Sequence, residues 1–191
     1  MNRFIRFDRV LVAAIVALAA AWPLAQVARA APDAPDVPTR IEVPDGNKVF
    51  LVGHALGVQI YSCNVTPSGF TWGLVAPRAD VYDDHGKLIA THFGGPTWQA
   101  TDGSEVVGQR VDGVTVDTNA IPWLLLSAAS TTAGPDGARL VATTFIQRIA
   151  TTGGLPPSAE DCNSDTAGTV SEVPYTAEYY FWKAKPSGRD A

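Results

Sequence analysis

Apolar and polar positions alternate with a period of two along most of the chain, and that period, not the 3.6 of a helix, is its main structural signal. Residues 49–64 read VFLVGHALGVQIYSCN, a β-branched and aromatic run interrupted by Gly53 and Gly57. This predicts two short strands or one bulged strand. In FTWGLVA, Phe70, Trp72, Leu74 and Ala76 share one face, as a half-buried strand requires. Val81-Tyr82 and Lys87-Leu88-Ile89 flank Asp83-Asp84-His85-Gly86, a hairpin with glycine where positive φ is needed. Residues 105–116 alternate loosely, with turn signals at Gly108 and Asp112-Gly113.

Farther on, Ile121 to Ala128 (IPWLLLSA) is apolar on both alternating faces. It predicts a strand buried on both sides, with a short helix capped by Asn119 as the alternative. In the β-rich run 138–152, Val141, Thr143, Phe145, Gln147 and Ile149 lie on one face and Arg148 on the other. A last aromatic strand, 175–182, turns Tyr175, Ala177, Tyr179 and Phe181 one way and Glu178, Tyr180 and Trp182 the other. With no long amphipathic helix and no internal repeat, the pattern predicts an all-β, single-domain antiparallel β-sandwich, with a β-barrel as the alternative.

The ends change this picture. Residues 1–30 join a basic start (Arg3, Arg6, Arg9), an apolar run from Val10 to Leu24 and Ala28-Arg29-Ala30, which reads as a secretory signal cleaved after Ala30. A proline-rich leader at 31–40 is expected to be extended and mobile, the β domain to cover 41–182, and residues 183–191 to form a disordered tail. No other stretch is long and apolar enough to span a bilayer, so no stable membrane insertion is expected after cleavage. Loss of the signal removes four arginines and one aspartate, leaving ten basic and eighteen acidic residues, a net charge of −8. That charge disfavours nucleic acid as a partner. Cys63 and Cys162 are the only cysteines. In an exported chain they are expected to form one disulfide, worth roughly 4 to 5 kcal/mol of ideal chain entropy for a loop of that length.

The richest stretch in special chemistry is 92–108, HFGGPTWQATDGSEVVG. Trp98 with Asp102 and Glu105 offers an aromatic face and carboxylates of the kind that hold a sugar, or hydrolyse a glycoside. His92, Asp102 and Ser104 are the residue types of a hydrolase triad, but no G-x-S-x-G elbow occurs, and Asp102-Gly103-Ser104 reads more simply as a turn. His85 and His92 lack a third ligand at recognisable spacing, so no metal site and no cofactor is expected. Trp72 and Trp123, on apolar strand faces, read as core. Arg148 among apolar neighbours must be exposed or paired; an ion pair with a loop aspartate is the expected arrangement and anion binding the functional alternative.

Taken in order, Tyr61-Ser62-Cys63, Gly95-Pro96-Thr97-Trp98, Asp102-Gly103-Ser104, the 121–126 run IPWLLL, Ile146-Gln147-Arg148, Thr152-Gly153-Gly154, Cys162, the 173–177 run VPYTA and Tyr179-Tyr180-Phe181 resemble the domain of unknown function 3455 family. The resemblance spans about Ile41 to Trp182. It implies an exported protein of a kind found in bacteria and fungi, and it carries no activity with it. The residues themselves point to a periplasmic or extracellular binding module for a glycan or another small polar ligand, with Trp98, Asp102, Glu105, His92 and Arg148 as its site. The alternatives are a hydrolase acting on glycans or esters through Asp102, Glu105 or His92, and a purely structural envelope protein.

Overall fold

The computed structural model describes residues 32–187, so the expected signal segment 1–30 and residues 188–191 of the expected tail lie outside the described residues. Eight strands follow in chain order: β1 (Asn47–Thr66), β2 (Gly69–Tyr82), β3 (Leu88–Phe93), β4 (Thr97–Ala100), β5 (Glu105–Val114), β6 (Trp123–Thr132), β7 (Thr143–Gly153) and β8 (Val170–Ala184). Each pairs antiparallel with the next, and β8 pairs back onto β1, from Asn47 opposite Ala184 to Ser62 opposite Val170. The class is therefore all-β. Within that class the single sheet closes into the barrel weighed above as the alternative, in place of two facing sheets, because the long β1–β8 ladder leaves neither end strand as a free edge.

Alternation along β8 sends Tyr175, Ala177, Tyr179 and Phe181 into the barrel, all at most 3 % exposed. They meet Ala55, Ala79, Val81, Trp98, Val106, Leu126 and Ile146 in the main core. Strand β1 is one bulged strand, with register shifts at Val49/Leu51 and Ile60/Tyr61; such bulges bend a strand and increase its local twist. The expected β2–β3 hairpin forms, with Gly86 at φ 74°.

Two regions depart from the expected pattern. The end of the proline-rich leader is not loose: a 3-10 turn at Thr39–Ile41 puts fully buried Ile41 on the outer face of the barrel, against Leu125 and Ile149. Val37 and Val43 pack there too, with Trp123, Phe145 and Tyr180. Gln147 Nε2 donates to the Ile41 carbonyl at 2.7 Å, and the Trp182 indole donates to Gln147 Oε1 at 2.9 Å. This strap explains why 121–128 is apolar on both faces: Leu124 and Leu126 serve the interior, while Trp123 and Leu125 lie under the strap. Strand β8 also continues past Trp182, with Lys183 paired to Lys48 and Thr143.

The other departure is in β2. Phe70 and Leu74 are 39 % and 58 % exposed, so the expected half-buried face is not covered. Trp72 there is partly buried and donates its indole N–H to the Ser158 carbonyl at 3.1 Å. A disulfide joins Cys63 to Cys162, with Cα atoms 5.3 Å apart, and pins the loop between β7 and β8 to β1, where Cys63 lies opposite Trp72 of β2.

Candidate functional site

The 92–108 stretch runs from the end of β3 through a β3–β4 hairpin to the start of β5. Its turn runs through Gly94, Gly95 and Pro96, with Gly95 at φ 96°, a conformation open chiefly to glycine. The turn sets His92 directly opposite Trp98. Both point inward, 3 % and 1 % exposed, and their rings stack at 4.2 Å between centroids and 11° between planes. Tyr179 meets both edge-on, at 5.2 Å from His92 and 5.1 Å from Trp98. Gly108 on β5 makes room for the indole, since a Cβ there would come within 3.1 Å of Trp98 Cζ3 and 3.0 Å of Leu126 Cδ2.

His92 Nδ1 donates to the Thr97 carbonyl at 2.9 Å, because a carbonyl can only accept. In the neutral ring Nε2 then carries the lone pair. Burial drives the His92 pKa down to about 3, the Arg148 charge adds to the fall, and the Thr97 bond opposes it. Burial also raises Tyr179 well above the usual phenol value and raises Tyr175, with Arg148 pulling both the other way.

Arg148 is the cation at the centre of these effects. Its cross-strand neighbours are Leu124 and Tyr179, so the face opposite Phe145, Gln147 and Ile149 is the barrel interior. The expected ion pair does not form: among the described residues no carboxylate pairs with Arg148. Instead Nε and Nη2 both donate to the Pro122 carbonyl, at 3.3 and 2.8 Å. A guanidinium has five N–H donors, so this clamp fixes its direction without using it up. Beyond Arg148 the β7–β8 register slips between Ile149 and Thr152, and Ala150 adopts φ 48°.

These groups line one cavity of about 270 Å³: Gln59, His92, Trp98, Arg148 and Tyr179 inside, with exposed Arg110 beside them. Two donors there are buried without a hydrogen-bond acceptor, Gln59 Nε2 and Trp98 Nε1. Gln59 itself is 2 % exposed. A buried polar group left unpaired is costly, and such groups in a folded protein call for a reason.

The other end of the stretch has a different fate. Asp102 accepts from the Ser104 hydroxyl at 2.6 Å, from the Ser104 amide at 3.0 Å and from the Arg139 amide at 2.9 Å. These bonds, that of the Ser104 hydroxyl foremost, lower its pKa to about 2. Ser104 is fully buried, and its Oγ also accepts from the Leu140 amide at 3.1 Å. Glu105 accepts from Gln99 Nε2 at 2.7 Å on the surface. Of the five site residues expected, Trp98, His92 and Arg148 thus line the cavity, and Asp102 and Glu105 do not. The buried indole face of Trp98 is spent on His92, so it offers no open platform for a sugar ring.

Sequence reasoning passed over Gln59, Arg110 and Tyr179 as site residues. Gln59 carried a readable signal, being an amide in the middle of the β-branched run of β1. His85 is exposed in the β2–β3 turn, and among the described residues no three histidine, cysteine or acidic side chains converge as a metal site would need. No helix among them is long and apolar enough to cross a membrane.

The family model described as "Protein of unknown function (DUF3455)" matches residues 44–183, which takes in all eight strands except Ala184, the last residue of β8. No curated protein and no solved structure matches the chain.

Proposed function

The chain belongs to the DUF3455 family, and since that premise brings no activity with it, we propose from the geometry that the protein is an exported binding module for one small polar ligand held in its barrel. The observation that carries the reading is the cavity: a guanidinium that pairs with no carboxylate among the described residues and two unpartnered buried donors line the same space. Eight-stranded barrels are wide enough either to be filled by side chains or to hold one small ligand. At about 270 Å³ this cavity is near the small end of ligand sites, with room for a molecule of roughly ten heavy atoms. The disulfide supports an oxidising compartment, the periplasm or the exterior.

Hydrolysis has less support. The hydroxyl of Ser104 and the carboxylate of Asp102 are spent on each other and on backbone amides, while His92 bonds Thr97 and stacks on Trp98. A general base needs a proton within its reach, and a nucleophile needs access.

A thermal-shift screen of small polar compounds tests the reading. At a hundred times its dissociation constant a true ligand stabilises the fold by about 2.7 kcal/mol. That gain should vanish in Ala76→Phe, which places a ring on the cavity wall, and persist in Asp102→Asn. Hits that stabilise Ala76→Phe as well as the wild type would place the ligand elsewhere.

A further inference from the structure

Resting on the cavity reading, we propose that the ligand is a small monocarboxylate with an apolar body, its carboxylate taken by Arg148. Three observations lead there. The lining holds two arginines and no acidic side chain, in a protein whose formal net charge is −5. The fully buried polar atoms of the lining left without protein partners, Gln59 Nε2 and Trp98 Nε1, are both donors, so the group that complements them is an acceptor. The rest of the wall is apolar, through Leu74, Val75, Pro77, Pro96 and Leu124.

Charge count and shape narrow the class. A guanidinium fork matches the two oxygens of a carboxylate, and the clamp on Pro122 holds the fork in place before anything binds. Among the described residues of the lining, Arg148 is the one cation not exposed, since Arg110 is exposed and His92 is neutral near pH 7. One inner positive charge suits a monoanion better than a phosphate dianion. The exposed side chains of Leu74 and Val75, 58 % and 60 %, flank the cavity where an apolar body would bury them.

The test follows the Trp98 indole N–H in ¹⁵N–¹H spectra at pH 7 during titration with benzoate, benzamide, benzyl alcohol or phenyl phosphate. Benzoate is expected to move that resonance saturably and to bind on the order of ten- to a hundredfold more tightly than benzamide, the usual advantage of a hydrogen bond to a charged group. Arg148→Met should shrink the preference to about twofold or less. Arg148→Lys keeps the charge but loses the fork, and should cost benzoate roughly three- to tenfold, which keeps the assignment testable if the Met variant does not fold. The carboxylate assignment is overturned, with the cavity reading intact, if the neutral compounds bind as well as benzoate, if Arg148→Met keeps the preference, or if phenyl phosphate binds more tightly. If none of the four compounds moves the Trp98 resonance at millimolar concentration, the cavity reading falls with it.

Discussion

Two ends of one seventeen-residue stretch meet opposite fates. At 92–98 the β3–β4 hairpin drives His92 and Trp98 into the barrel, where Trp98 Nε1 has no partner and the nearby guanidinium of Arg148 has no counter-ion. At 102–105 the notable polar groups have partners within the protein: Asp102 takes three hydrogen bonds, the Ser104 hydroxyl gives one and takes one, and Glu105 takes one from Gln99 at the surface. Residue type does not separate the two ends, since the second is the richer in catalytic side chains. Satisfaction does, because a group whose bonding capacity is exhausted inside the protein has none left for a ligand.

Substitutions should keep the ends apart. Trp98→Ala removes the largest buried side chain of the first end and is expected to cost about 3 to 5 kcal/mol of stability, read from denaturant unfolding. Next comes Ser104→Ala, which strands the Leu140 amide and should cost about 1 to 3 kcal/mol while leaving benzoate affinity unchanged. A loss of affinity in that variant would break the comparison.

Acid sharpens it. His92 is neutral in the fold down to about pH 3, whereas an unfolded chain protonates it near 6.5. Between those values the unfolded state binds the extra proton, so stability falls as pH drops through the window and is unaffected by His92 above it. The slope from this one group is at most about 1.4 kcal/mol per pH unit. Unfolding curves of His92→Phe at several pH values should lack that slope. Asp102, with its value lowered to about 2, loses its contribution only below the ordinary carboxylate range, so the second end responds at lower pH than the first. Smallest of all is Glu105→Gln, expected to lie within about 0.5 kcal/mol of wild type with unaltered binding.

Local alternation made most strands legible, including the inward face of β8 and the bulged β1. Closure into a barrel was not, because it rests on β1 pairing with β8 across more than a hundred residues, and no local pattern reports a long-range ladder. The same gap hid the setting of Arg148. Phe145, Gln147 and Ile149 read as a core face, and Gln147 and Ile149 are buried and Phe145 partly so, but under the strap led by Ile41 on the outside. The arginine face was the interior. For the site, His92, Trp98 and Arg148 were visible as residues; the idleness of Asp102 was half legible in the Asp102-Gly103-Ser104 turn, whereas the Arg139 amide on Asp102 and the Gln99 amide on Glu105 arrive only through the fold.

The central claim is that a small acid binds at the His92–Trp98 end and leaves the Asp102 end untouched. A full ¹⁵N–¹H shift map of the benzoate titration tests it most directly. The account predicts saturable shifts at the Trp98 indole, the Gln59 side-chain amide and the amides of His92 and Leu124, with none at Ser104 or Arg139. Shifts centred on Ser104 and Arg139, with the Trp98 indole unmoved, would contradict it.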